Sequence, residues 1–237
     1  PEMTKKKNGI RWVLRALKHR NFRLFFAGQS VSLTGTWMQQ IATIWLVYRL
    51  TRSAAMLGLV GFASQIPTFL LAPVAGALAD RLNRHKIIII TQILAMLQAF
   101  ALLFLVVAGH VNMGWIIVLT TFLGMVSGFD IPTRQSFLVD MIDDRKHLAN
   151  AIALNSSMFN GARLLGPALA GIIISIGGET LCFLLNAVSY LPVIAALFAM
   201  RLSPASASKK KNGKLRILQE IREGFSYAKN SLPIRSL

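Results

Sequence analysis

Two charged side chains lie deep inside long apolar stretches of this chain. Asp130 interrupts a stretch that begins near residue 114. Arg163 lies about fifteen residues into the next stretch, or roughly 22 Å along a helix. Ionisable groups at such depth usually face the interior of a helix bundle, pair with each other and mark the path of a substrate or ion. The chemistry indicated is noncovalent recognition of a polar ligand.

Two amide side chains extend this polar set. Gln39 shares a helical stripe with small residues at three- and four-residue steps, and Asn155 lies on the same arc as Arg163. Tight helix packing explains the small residues. A long amide needs several hydrogen bonds, and cavity lining and helix packing are equally good explanations of Gln39. We expect a substrate cavity lined by Gln39, Asp130, Asn155 and Arg163.

A structural role is the alternative for the two charged residues. An arginine–carboxylate or arginine–carbonyl clamp would also satisfy Arg163 and fix helix packing. Asp130 is the candidate partner, because the two apolar stretches run antiparallel and the long arginine side chain covers part of the difference in depth. Substrate binding and a clamp are both open at this point.

The composition is typical of a membrane protein. Of 237 residues, 54% are hydrophobic and 15% are charged, and the mean hydropathy is +0.54. Ordinary soluble domains carry about 25% charged residues. The net charge of +17 would suggest nucleic acid in a soluble chain, but here the placement of the charges matters more, and we expect no nucleic-acid partner.

Six windows are apolar enough to cross the hydrocarbon core as helices, which takes about 20 residues each. The windows are 22–49, 54–79, 86–109, 114–139, 148–177 and 180–200. They predict an all-α membrane protein with a six-helix bundle over 22–200. The flanks are a basic amphipathic segment at 1–21 and, at 201–237, a linker with a second basic amphipathic helix.

The basic residues are distributed unevenly between the two sides of such a bundle. Of the 26 Lys and Arg residues, 23 lie in the flanks and in the segments near 80–86 and 134–147. The opposite side has only Arg49 and Arg52. Because cytoplasmic loops carry the excess of Lys and Arg, both ends are predicted to be cytoplasmic and their amphipathic segments to lie on anionic lipid.

The stretch GALADRLNRHK at 76–86 places a dense charge cluster between two apolar windows. It resembles the best-known motif of the major facilitator superfamily, Gly-x-Leu-x-Asp-Arg-x-Gly-Arg-(Arg or Lys). Asn83 replaces the second glycine of that motif, and asparagine tolerates the left-handed backbone region. The resemblance implies a charge network that holds the two halves of a transporter together in its outward-facing state. Its residues here are Gly76, Asp80, Arg81 and Arg84.

The fifth window contains a Gly-Pro step with flanking glycines, which resembles the antiporter motif of the same superfamily and implies export. The motif residues are Gly161, Gly166, Pro167 and Gly171. Pro132 and the Ala-Asn-Ala run at 149–151 are similar to the branch that contains the enterobactin exporter. Proline bends a helix, and small residues allow a neighbouring helix to approach closely. This helix can therefore either seal the contact with its neighbour or rock against it.

The resemblance covers about 20–201 and implies the N-terminal six-helix half of a twelve-helix protein that works by alternating access. We expect a secondary active exporter of a small amphipathic compound, such as a siderophore or drug, in the bacterial inner membrane. An H⁺ gradient is the expected energy source, and the C-terminal half is the expected partner. An anionic group of the substrate would bind Arg163.

Two alternatives keep the same fold: an importer, and a non-transporting receptor or assembly subunit. An enzyme is not expected, because the four histidines lie outside the windows without metal-ligand spacing and no nucleophile accompanies a base. The chain has no Gly-x-x-x-x-Gly-Lys loop for ATP. We therefore expect no metal and no cofactor.

Overall fold

The computed structural model describes residues 14–79, 81–142 and 144–201, and every regular element in these ranges is helical. Short 3-10 helices lie at Leu14–Lys18 and Arg145–His147. The long helices are α1 (Arg20–Thr51), α2 (Ala54–Ala79), α3 (Arg84–Val107), α4 (Met113–Asp140) and α5 (Leu148–Ala199). The amphipathic segments predicted at 1–21 and 201–237 lie outside the described residues, except for 14–21 and Arg201.

Four of the helices, α2 to α5, are long and apolar enough to cross a membrane. The 32 residues of α1 include a more polar buried face, on which Gln29, Ser32 and Gln39 lie. Helices are suited to the lipid bilayer because their backbone hydrogen bonds are satisfied within each helix. The prediction of an all-α membrane protein is confirmed.

Helix α5 is a hairpin of two helical stretches. Gly178 has φ 69° and ψ −176°, a conformation that is essentially restricted to glycine, and it divides α5 into α5a (148–177) and α5b (179–199). The Sγ of Cys182 lies 4.0 Å from the carbonyl oxygen of Ala170, although twelve residues of straight helix would span about 18 Å. α5a and α5b therefore fold back on each other.

The helices pack in a simple pattern. α1 lies mainly against α5, α2 lies against α4, and α3 contacts both α4 and α5. The side chain of Asn21 exchanges two hydrogen bonds with the backbone of Arg201, and Arg84 contacts Asp140. The Nε2 of His85 near the start of α3 also lies 2.8 Å from the carbonyl oxygen of Leu197 near the end of α5. The starts of α1 and α3 and the ends of α4 and α5 therefore meet at one end of the bundle, which we call the basic end.

The contact between α1 and α5 depends on glycines. A Cβ at Gly28 would lie 2.7 Å from the Cα of Val193, and one at Gly166 would lie 3.1 Å from the backbone nitrogen of Met38. Glycine lets the two backbones approach this closely. Within the predicted Gly-Pro motif, Gly166 is thus a packing position and Pro167 lies inside α5. Side chains at Gly161 and Gly171 would meet no described atom within 4 Å.

The loop between α2 and α3 contains no left-handed asparagine. Asn83 has φ −72° and ψ 103°, and its Oδ1 accepts a hydrogen bond of 3.1 Å from the backbone nitrogen of Lys86. Asn83 is therefore the N-cap of α3, a position that asparagine favours. The tolerance of asparagine for left-handed backbone is therefore not used at Asn83, because the chain starts a helix there.

Replacing Gly166 by alanine should destabilise the bundle, because the new Cβ would press on the backbone of α1. We expect Gly166→Ala to lower the melting temperature of the full-length protein in detergent. Gly171→Ala is the matched control, since its Cβ is unhindered by the described residues and alanine favours a helix by about 1 kcal/mol over glycine. Equal melting of the two variants would contradict the packing role of Gly166.

Candidate functional site

A buried ion pair lies on α4. The Nη2 of Arg134 is 3.0 Å from the Oδ2 of Asp130, one helical turn earlier. Only 8% of Asp130 and 7% of Arg134 are exposed. A buried ion pair is stable only where its remaining hydrogen-bonding capacity is also satisfied.

The other oxygen of the carboxylate is satisfied by α3. The hydroxyl of Thr91 and the side-chain nitrogen of Gln92 each donate to the Oδ1 of Asp130 at 2.9 Å. The Oε1 of Gln92 in turn accepts a longer bond, 3.5 Å, from the hydroxyl of Ser32 on α1. Donors from two helices thus offset the cost of burying the charge.

A chain of amides forms a second polar layer. The Nδ2 of Asn186 on α5b donates to the Oε1 of Gln39 at 2.7 Å, and the Nε2 of Gln39 donates to the Oε1 of Gln98 on α3 at 3.0 Å. Gly35 makes room for this chain, because a Cβ there would lie 2.6 Å from the Oδ1 of Asn186. Gln39 therefore joins three helical stretches.

Two adjoining cavities lie beside these layers. The smaller, of about 150 Å³, has a polar end formed by Gln29, Ser32, Asp130, Arg134 and Tyr190. The larger, of about 420 Å³, extends between α1, α2 and α4. Both are lined by Thr36, Trp37, Gln40, Leu123, Ser127, Ile131 and Phe159. Together they offer one charged, polar end and a wider, mostly apolar body.

The predicted cavity residues occupy different places. Asp130 lines the smaller cavity and Gln39 the larger, whereas Asn155 and Arg163 line neither. The exposed Arg163 has its Cζ 5.6 Å from the centroid of the Trp37 ring. The suggested clamp between Arg163 and Asp130 is wrong, because Arg134 is already within one turn of Asp130 and pairs with it.

Several residues of the site were missed by sequence reasoning. Gln29, Thr91, Gln92 and Tyr190 all lie around the ion pair. Asp130 and Arg134 have i,i+4 spacing, which is the one local signal that predicts their contact. The partners on α1, α3 and α5 leave no such signal, because they are distant in sequence.

The structure describes the charged loop motif at 76–86 except for Asp80. The Nε of Arg84 donates to the carbonyl of Ala79 at 3.1 Å, and its Nη1 lies 3.3 Å from both carboxylate oxygens of Asp140. Arg84 therefore joins α2, α3 and α4 at the basic end. Asp80 lies outside the described residues. The network over Gly76, Asp80, Arg81 and Arg84 stays a prediction, and Asp140 is a contact that it did not include.

Comparison with known proteins places the chain in a family. A family model described as transmembrane secretion effector matches residues 13–237. The staphyloferrin A transporter of Staphylococcus aureus is 30% identical over 181 residues, which is 76% of this chain and 45% of the relative.

Two further relatives are named as efflux proteins. The multidrug efflux pump Tap of Mycolicibacterium fortuitum is 25% identical over 207 residues, or 86% of this chain and 51% of Tap. Macrolide efflux protein A of Streptococcus pyogenes is 24% identical over 188 residues, or 77% and 44%. The chain thus spans about half the length of these relatives.

The amide layer can be tested by comparing neighbouring glutamines. Gln39→Leu should lower the free energy of unfolding by about 1–3 kcal/mol for each polar partner left unpaired, as measured by denaturation of the purified full-length protein. Gln40→Leu is the control, because Gln40 is exposed. If Gln39→Leu is as stable as Gln40→Leu, the layer does not stabilise the bundle.

Proposed function

Since this chain belongs to the transmembrane secretion effector family of the major facilitator superfamily, we propose that it is part of a secondary active exporter of a small amphipathic compound. The observation that carries the proposal is the pair of adjoining cavities. Their polar end suits a head group, and their apolar body suits a hydrophobic remainder.

Transport in this proposal works by alternating access between two bundles. The described bundle is one of them, and its partner is a second six-helix half in the full-length protein. Asp130 in the wall of the smaller cavity and Gln39 in the wall of the larger cavity contact the substrate. Asn155 and Arg163 lie on α5a outside both cavities, so they act from the side that a second bundle would approach, with Arg163 acting through Trp37.

In this proposal, the charged loop and the Gly-Pro motif allow the two bundles to move relative to each other. Arg84 already ties three helices together at the basic end, and Asp80 with Arg81 would extend these contacts to the second half. Gly166 and Pro167 place a close contact and a missing backbone hydrogen bond in the same turn of α5a. An H⁺ gradient would drive the cycle.

The orientation follows from the basic residues. α1 to α4, α5a and α5b are the six proposed crossings of the bacterial plasma membrane, and both ends of the chain are cytoplasmic because the basic end carries the excess of Lys and Arg. The flanking amphipathic segments would lie on anionic lipid of the inner leaflet. The named efflux relatives favour export over import.

Cysteine labelling tests the orientation. In full-length protein whose other cysteines are replaced, His110→Cys should react with a membrane-impermeant maleimide on intact cells. Lys86→Cys should react only after the cells are opened. Both native side chains are exposed in the structure. Cys182 is fully buried, and it is replaced with the other native cysteines so that only the introduced thiol reacts. The reverse pattern would contradict cytoplasmic ends.

Efflux from cells tests the function. Cells with the complete reading frame should accumulate less of the exported siderophore or drug, whereas Asp80→Asn and, separately, Arg163→Gln should abolish the effect at equal membrane abundance. Lys86→Gln removes an exposed cation near the same loop and should retain efflux.

The alternatives give different results in that assay. Uptake by the intact protein would identify an importer. If no compound moves and Arg163→Gln changes nothing, a receptor or assembly subunit replaces the transporter.

A further inference from the structure

The wall of the larger cavity contains two glutamine side chains that do not hold the bundle together. Gln40 on α1 and Gln65 on α2 line this cavity and are exposed. Neither amide makes a hydrogen bond with another residue in the part of the chain that the structure describes. Gln39, by contrast, is 3% exposed and is bonded to Gln98 and Asn186. The glutamine that joins the helices and the two that face the cavity are therefore different residues.

Several hydroxyl groups around this cavity already use their protons within the bundle. The hydroxyls of Thr43, Ser64 and Thr68 donate to backbone carbonyl oxygens at 2.9, 2.7 and 2.8 Å. Each glutamine amide, in contrast, offers two N–H donors and a carbonyl acceptor. A ligand group that both donates and accepts hydrogen bonds therefore finds both kinds of partner at Gln40 and Gln65.

The side chains around the larger cavity carry no charge. None of the described lining residues is an acid, a lysine, an arginine or a histidine. The adjoining smaller cavity contains Asp130 and Arg134, which lie 3.0 Å apart and neutralise each other. A charged ligand would leave its counter-ions in water and would find no net opposite charge in either wall. Burying a charge without such compensation is unfavourable.

The size and lining of the larger cavity suit a small neutral molecule. Sites for such molecules are mostly apolar and use a few polar groups to orient the ligand. Ile44, Leu57 and Val60 supply apolar surface in the same wall as the two amides. The volume of about 420 Å³ lies within the range of about 300 to 1,000 Å³ that is typical of ligand pockets.

From these features we propose that Gln40 and Gln65 determine the specificity of the larger cavity, and that they select an uncharged group with both a hydrogen-bond donor and an acceptor, such as a carboxamide. An oxygen of the ligand accepts from a glutamine N–H, and an N–H or O–H of the ligand donates to a glutamine Oε1. This inference rests on the proposed function and adds the chemical class of its substrate.

Three fluorescent probes that share a dansyl group and a chain of similar length test the charge of the ligand. Dansylaminohexanamide is neutral, dansylaminohexanoate is an anion and dansylcadaverine is a cation. Saturable binding to the purified full-length protein is measured by the rise in dansyl fluorescence. The wild-type protein should bind the amide most tightly, because only the amide enters without losing a counter-ion. Tighter binding of either charged probe would overturn the inference.

Leucine variants test the two amides. Gln40→Leu and, separately, Gln65→Leu should each weaken binding of dansylaminohexanamide by about two- to tenfold, which corresponds to the loss of one hydrogen bond. Gln135→Leu is the matched control, because Gln135 is an exposed glutamine on α4 that lines neither cavity. It should bind the amide as the wild type does. The melting temperature of each variant shows whether it is folded.

Glutamate variants test the missing charge. Gln40→Glu keeps the length of the side chain and adds a carboxylate to the wall at about pH 8, well above the ordinary pKa of glutamate. This variant should prefer dansylcadaverine to the amide, because it supplies the counter-ion that the wild-type wall lacks. Gln135→Glu makes the same chemical change outside the cavities and should keep the preference of the wild type. An unchanged preference in Gln40→Glu would place the ligand away from Gln40.

The contrary results are distinct from a failure of the exporter. If the leucine variants bind the amide as the wild type does but melt at a lower temperature, the two glutamines contact protein and not ligand, and the inference is overturned. The binding assay needs no gradient and is separate from the efflux assay. A protein that binds the amide through both glutamines but exports nothing would overturn the exporter, whereas one that exports compounds without any dependence of binding on Gln40 and Gln65 would overturn only this inference.

Discussion

The cost of burying a carboxylate governs how this bundle is assembled. Asp130 is 8% exposed and is stable there because Thr91 and Gln92 reach it from α3 and Arg134 from α4. A hydrogen bond tolerates only a few tenths of an ångström around 2.9 Å, so the carboxylate sets how α3 sits against α4. Losing one donor leaves a partly uncompensated charge, which costs more than an ordinary apolar contact.

A second constraint comes from the absence of a hydrophobic driving force between helices in lipid. Helices there are held by close packing and by hydrogen bonds between them. Both are present around α1, where Gly28 and Gly166 bring α5 close and Gln39 connects α3 to α5b. The polar layers and the close contacts share helix α1, so the helix that lines both cavities is also held firmly against α5.

Local sequence patterns predicted part of this arrangement, but they did not predict the contacts between residues that are far apart in the sequence. Apolar length is a local pattern, and the predicted windows at 148–177 and 180–200 meet at the break that Gly178 makes. The contact of Asp130 with Arg134 is also local. Gln39 reaches Gln98 and Asn186, 59 and 147 residues away, and no single-sequence pattern pairs them. The partner that the sequence suggested for Arg163 was Asp130, whereas its contact in the structure is the ring of Trp37 on another helix, which no single-sequence pattern indicates.

The two adjoining cavities differ in the side chains that line them. The polar end holds the buried ion pair of Asp130 and Arg134, and electrostatic interactions grow as the dielectric falls. The larger cavity is lined from α1, α2 and α4 by apolar side chains such as Leu57, Val60 and Ile131, with hydroxyl and amide side chains between them. Apolar contact is nondirectional. A site built this way would suit a polar head group at one end and tolerate variation in the remainder. Arg134 neutralises Asp130 within the protein, so this pair adds no net charge to the polar end.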